Sequence, residues 1–99
     1  MKQILVRYRT KPERADSNEQ LIKAVFDELD AKAPKGIRYL TLRRGDGTFV
    51  HVFTAEDGAP AMMEFETFRA FQDGIRERCI EPPDATDVTI VGNYRMLGA

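Results

Sequence analysis

Apolar residues at the start of the chain alternate with a period of two. In KQILVRYR, Ile4, Val6 and Tyr8 fall on one side of an extended chain, and Leu5 falls on the other with Gln3 and Arg7. This predicts a strand over residues 2–9. The period then lengthens: Leu21, Ile22, Val25, Phe26 and Leu29 recur at helical spacing, and Pro34 and Gly36 stop the helix. Its start is ambiguous, because Thr10 with Glu13 and Ser17 with Gln20 both have capping-box spacing. Two β-rich runs, IRYLTLRR and TFVHVFTA, flank GDG and predict a hairpin. The segment FETFRAFQDGIRERC predicts a second helix with Phe65, Phe68, Phe71 or Gln72, and Ile75 on one face, weakened at Gly74 and ended by EPP near Cys79. DVTIVGNYRML then predicts a fourth strand over residues 87–97, with Gly92 as a bulge.

The order strand, helix, strand, strand, helix, strand is the ferredoxin-like βαββαβ arrangement. It predicts an α+β fold with a four-stranded antiparallel sheet whose central strands are the first and third. These hold the densest apolar runs, ILV and FVHVF. The hairpin register decides the neighbours of the chain's single histidine. A three-residue loop Gly45, Asp46, Gly47 pairs Thr41 with His51, and a two-residue turn pairs Leu42 with His51. The first is preferred because it gathers Leu40, Leu42, Val50 and Val52 on an aliphatic face and Tyr39, Thr41, His51, Phe49 and Phe53 on a mixed one. Strand three is thus apolar on both sides, yet two helices cover only one side of such a sheet. A contiguous apolar face is seldom left wet, and the simplest cover is the same face of a second copy in a two-fold homodimer.

Composition narrows the function classes. With 99 residues the chain predicts a single domain over 1–99, structured except for the last residue or two. Fifteen Lys and Arg against sixteen Asp and Glu leave no electrostatic reason to expect nucleic acid or an anionic membrane as partner. The lone Cys79 forms no internal disulfide and has no metal-ligand spacing around it, and the N-terminal apolar run is too short for a signal core or a membrane span. A reducing, cytoplasmic setting is the expectation.

The layout, with GIRYLTLRR after the first helix and FVHVF before the aromatic helix FETFRAF, resembles the dimeric α+β barrel superfamily and in particular its antibiotic-biosynthesis monooxygenase-like members. The resemblance covers essentially the whole chain. It implies sheets paired across a two-fold axis and, for the family's cofactor-independent oxygenases, an electron-rich aromatic substrate whose deprotonated form reacts with dioxygen in an apolar pocket. Haem-degrading members use an Asn, a Trp and a helix-borne His. This chain has no Trp, and its His lies on a predicted strand, which disfavours that activity.

Against this background His51 and Tyr39 are the candidate catalytic residues, and Tyr8, Phe53, Met62, Phe65 and Phe68 the candidate ligand-binding residues. No metal site and no cofactor is expected. Each has a plainer reading: a histidine hydrogen-bonded within the sheet or interface, phenylalanines filling the core, a methionine filling a gap, tyrosines as amphipathic core residues. Tyr94 is a further hydroxyl, Arg69, Arg76 and Arg78 read as a solvated face, and Cys79 as an inert thiol. Two functions follow. One is a cofactor-free oxygenase, or a related isomerase or lyase, acting on a small aromatic or polycyclic metabolite. The other is a non-catalytic homodimer that binds a small ligand or serves as a scaffold. A pocket holding His51 and a tyrosine hydroxyl points to the enzyme, and a core filled by phenylalanine points to the scaffold.

Overall fold

Strands β1 (Lys2–Thr10), β2 (Ile37–Arg43), β3 (Thr48–Ala55) and β4 (Cys79–Asp87) form one antiparallel sheet in the order β2-β3-β1-β4 in the computed structural model, which describes residues 1–97. Residues 98 and 99 of the predicted domain lie outside the described residues. Helix α1 (Ala15–Lys32) follows β1, and the short helices α2 (Glu66–Gln72) and α3 (Ile75–Arg78) follow β3. This is the ferredoxin-like α+β architecture, with β1 and β3 central as their hydrophobicity requires.

The hairpin adopts the three-residue loop. The Arg44 N–H donates to Thr48 O at 2.8 Å, the Gly47 N–H donates to Arg44 O at 3.2 Å, and Thr41 pairs with His51. Gly47 closes the loop at φ +86°, a conformation costly for any residue with a Cβ, and a Cβ there would lie 3.2 Å from the Thr10 carbonyl oxygen. Gly47→Ala is therefore expected to destabilise the domain by about 1–2 kcal/mol, read from urea unfolding midpoints. Gly45→Ala, with open space around it, serves as the reference.

This register sorts the two faces. Tyr8, Phe49 and His51 turn toward the helices and are buried with Ile22, Val25 and Phe71. Leu5, Leu40, Val50 and Val52 turn away and are only half-buried, and Leu42 beside them is 55% exposed.

Three expectations are corrected. The fourth strand is not 87–97 but Cys79–Asp87, CIEPPDATD. Pro82 and Pro83 read as breakers, but β4 is an edge strand where a missing N–H goes unnoticed, and its pairing with β1 shifts register between Arg7 and Arg9. Gly92 accordingly lies in no strand. The second helix does not run on to Cys79. It breaks where Gly74 takes φ +72°, and Cys79 opens β4. Neither capping box forms: Thr10 ends β1, and a 3-10 turn at Pro12–Arg14 leads directly into α1.

One surface pair does more than solvate a face. Glu28 is paired with Lys32, but it also accepts hydrogen bonds from the Thr67 N–H (3.0 Å) and hydroxyl, tying α1 to the first turn of α2. The Lys32 ammonium and the Thr67 donors hold its carboxyl down at about 2.

Candidate active site

Between the helix-facing side of the sheet and the segment carrying Met62, Phe68 and Phe71 lies a cavity of about 490 Å3, a size that suits a small organic ligand. Its wall is mostly apolar. The charged residues that border it, Lys2, Glu56 and Asp57, are all exposed. Of the predicted site residues, Tyr8, Tyr39, His51, Phe53, Met62 and Phe68 border this cavity. Phe65 does not: it is buried in the core with the Lys32 ammonium 5.6 Å from its ring centre. Tyr94 lies far out in solvent at 82% exposure.

The strand period builds the polar centre. Val6 and Thr41 flank His51 directly, which makes Tyr8 and Tyr39 its diagonal neighbours on the same face. The His51 side chain, 3% exposed, meets the Tyr8 hydroxyl at 2.9 Å through Nε2, and the Tyr39 hydroxyl at 2.7 Å and Thr41 Oγ1 at 3.0 Å through Nδ1. Rings of Tyr8 and Phe71 pack on the imidazole at 5.4 and 5.5 Å between centroids.

The network continues away from the cavity. Asn18 Nδ2 of α1 donates to the Tyr8 hydroxyl oxygen at 2.9 Å, and Arg78 Nε donates to Asn18 Oδ1 at 3.0 Å. The same guanidinium donates to the carbonyls of Phe71 and Asp73 at 2.6 and 2.9 Å, satisfying the C-terminal end of α2. Arg78 is 3% exposed and Asn18 fully buried, so the expectation of a solvated Arg78 is overturned. Sequence offered one weak hint: Asn18 and Ile22 share a face of α1, which places a polar residue on its buried stripe.

Burial governs the protonation of this centre. It pushes both the Tyr8 and Tyr39 phenols above their ordinary range and pushes His51 down to about 4 from the usual 6.5. At neutral pH the centre is uncharged, with two phenols and a neutral imidazole. A depressed histidine makes the unfolded chain the better proton acceptor. Stability is therefore full above about pH 6.5, is lost progressively as pH falls toward about 4, and changes no further through this group below that. The shift corresponds to a loss on the order of 3 kcal/mol. Urea midpoints should fall over that window in the native protein and much less in His51→Gln.

Chemically, the arrangement offers a dry apolar chamber with neutral hydrogen-bonding groups at one wall. It suits a ligand that carries its own reactivity and needs one oxygen held in place. Among the described residues no group of three His, Cys, Asp or Glu side chains is placed to hold a metal ion, and no helix is long and apolar enough to cross a membrane.

No protein-family model and no curated protein sequence matches the chain. Solved structures do. A Nitrosomonas europaea protein provisionally named an antibiotic biosynthesis monooxygenase superposes with a TM-score of 0.75 at 15% identity, covering 93% of this chain and 100% of that one. Rv0793 from Mycobacterium tuberculosis gives 0.71 at 14% identity, with 92% and 95% covered. A Caulobacter crescentus protein, again provisionally named an antibiotic biosynthesis monooxygenase, gives 0.69 at 13% identity, with 91% and 89% covered. The chain has the fold of the antibiotic biosynthesis monooxygenase-like proteins.

Proposed function

We propose that this protein is a homodimeric, cofactor-independent oxygenase that binds a small phenolic or polycyclic aromatic molecule in the cavity beside His51. One observation carries the reading: a neutral imidazole between two tyrosine hydroxyls forms the polar end of an otherwise apolar chamber of about 490 Å3. A core filled by phenylalanine would leave no such space. The names of the structural neighbours point the same way.

In this reading the substrate supplies every electron. The ionised substrate, its negative charge shared between the oxygen and a conjugated carbon that bears one hydrogen, bonds to dioxygen through that carbon. The hydroperoxide, once protonated, expels water and leaves C=O, so that one oxygen atom ends in the product and the other in water. Tyr39 and His51 hold the substrate oxygen, while Phe53, Met62 and Phe68 exclude water and face the rings. The outward aliphatic face of Leu5, Leu40, Leu42, Val50 and Val52 is assigned to the partner subunit.

Oxygen uptake with a panel of quinols and polyphenols tests this. Tyr39→Phe removes only one hydroxyl and is expected to stay folded while turnover falls roughly ten- to a hundredfold, as for the loss of a hydrogen bond to a charged group. His51→Ala should likewise remain folded, at a cost on the order of 1–3 kcal/mol, and lose turnover. Unchanged oxygen uptake in both variants would remove the pair from the chemistry.

A further inference from the structure

The hydrogen bonds around His51 have a fixed direction. Arg78 only donates, so the Asn18 oxygen must face it and the Asn18 amide N–H must face Tyr8. The Tyr8 oxygen therefore accepts a hydrogen bond from Asn18, and its own buried O–H has one acceptor within reach, His51 Nε2. With Nε2 accepting, the neutral ring carries its proton on Nδ1. On that side three donors meet, the Nδ1–H and the hydroxyls of Tyr39 and Thr41, with only two oxygens to receive them. Beyond His51 and each other, neither hydroxyl has a partner among the described residues, so one proton is left over.

Resting on the function proposed above, we propose that Arg78 and Asn18 act as positioning residues that lock His51 as the Nδ1–H tautomer, and that the cavity consequently selects a ligand through an acceptor oxygen, a phenolate or enolate already ionised in solution. His51 is then a fixed donor in a one-way relay rather than the base that deprotonates the substrate. Its Nε2 lone pair is occupied by Tyr8, and the relay cannot reverse while Arg78 faces the Asn18 oxygen.

Asn18→Asp tests the direction without changing shape. One carboxylate oxygen still accepts from Arg78, which gains an ionic partner, and the other now accepts the Tyr8 hydroxyl proton. The Tyr8 oxygen must then accept a hydrogen bond from Nε2–H, and Nδ1 becomes an acceptor for Tyr39 or Thr41. The chain's single histidine makes the readout unambiguous: its two imidazole nitrogens are followed by long-range proton–nitrogen NMR. The native protein is expected to show Nδ1–H and Asn18→Asp to show Nε2–H. Affinity for 4-nitrophenolate at mildly alkaline pH should fall roughly ten- to a hundredfold in the variant, while 4-nitroanisole, which has no ionisable oxygen, changes little.

A native Nε2–H tautomer, or a folded Asn18→Asp that keeps Nδ1–H, overturns the relay. A tautomer that flips with no difference between the two probes overturns the ligand selection. Oxygen uptake without any tautomer change would leave the oxygenase reading standing and sink this one alone. If Asn18→Asp fails to fold, the native tautomer together with the preference of the native protein for 4-nitrophenolate over 4-nitroanisole decides the matter.

Discussion

Arg78→Met is expected to destabilise the domain by about 3 kcal/mol or more, a large share of the roughly 5–15 kcal/mol that holds an ordinary domain together. The substitution keeps most of the buried volume but removes every donor. Asn18 Oδ1 and the carbonyls of Phe71 and Asp73 then lose their partner. Asn18 Oδ1 and the Phe71 carbonyl lie in buried hydrogen bonds, and each buried acceptor left unsatisfied costs about 1–3 kcal/mol, so the middle of that range for these two alone reaches the stated figure. Arg76→Met on the exposed side of α3 should change stability by less than about 0.5 kcal/mol. Urea unfolding of the two variants checks this, and a loss of under about 1 kcal/mol for Arg78→Met would mean that water or a rearranged side chain replaces the guanidinium.

Val52→Asp is expected to convert the proposed dimer to a monomer. Val52 lies at the centre of the outward face, paired across the sheet with Leu5 and Leu40 and only half-buried within one copy. A standard protein interface removes roughly 1,600 Å2 from water, and at about 25 cal/mol per Å2 the gross gain far exceeds what a single chain recovers by leaving that face wet. A carboxylate in the middle of it would be buried without a partner, which association cannot tolerate. Lys23→Asp on the solvent side of α1 should leave the assembly intact. Sedimentation at micromolar concentration reads both. A native protein that already sediments as a monomer would require another cover for the aliphatic face.

Most of the architecture was legible because it rests on local periodicity. The alternation in β1 and β3 and the helical spacing of Leu21, Ile22, Val25 and Phe26 each specify one answer, and the Gly45–Asp46–Gly47 turn leaves two registers between which the aliphatic face of Leu40, Leu42, Val50 and Val52 decides. Together they predict the register that sets Thr41 opposite His51. The end of the chain was not legible. Pro82 and Pro83 oppose a strand unless it lies at an edge, and edge position is a property of the whole sheet. DVTIVGNYRM has a strand's composition, but beyond Asp87 it holds no strand pairing; Val88 donates to the Gln3 carbonyl and Ile90 to the Gln3 side chain.

The site divides in the same way. His51, Tyr8, Tyr39 and Phe53 follow from pleat and register, so their meeting at one wall could be anticipated. Asn18 and Arg78 are 60 residues apart, and only the packing of α1 against the end of α2 brings them together. An arginine in a run such as IRERC carries no mark in sequence that separates a buried anchor from a solvated charge. Phe65, read as cavity wall, lies in the core; it stands at the N-cap of α2, one residue ahead of the helical turns that carry Phe68 and Phe71 to the cavity.

Occupation of the cavity by an aromatic ligand is the point on which the functional account stands. The chain has four methionines, of which Met62 is buried at the cavity wall and Met96 lies in solvent. With the methionine methyl groups carbon-13 labelled, titration with 4-nitrophenolate should move the Met62 signal saturably, with contacts from its methyl to the ligand ring, and leave Met96 in place. A Met62 signal that stays fixed up to the solubility limit of the probe, or four signals that drift together, would contradict the account.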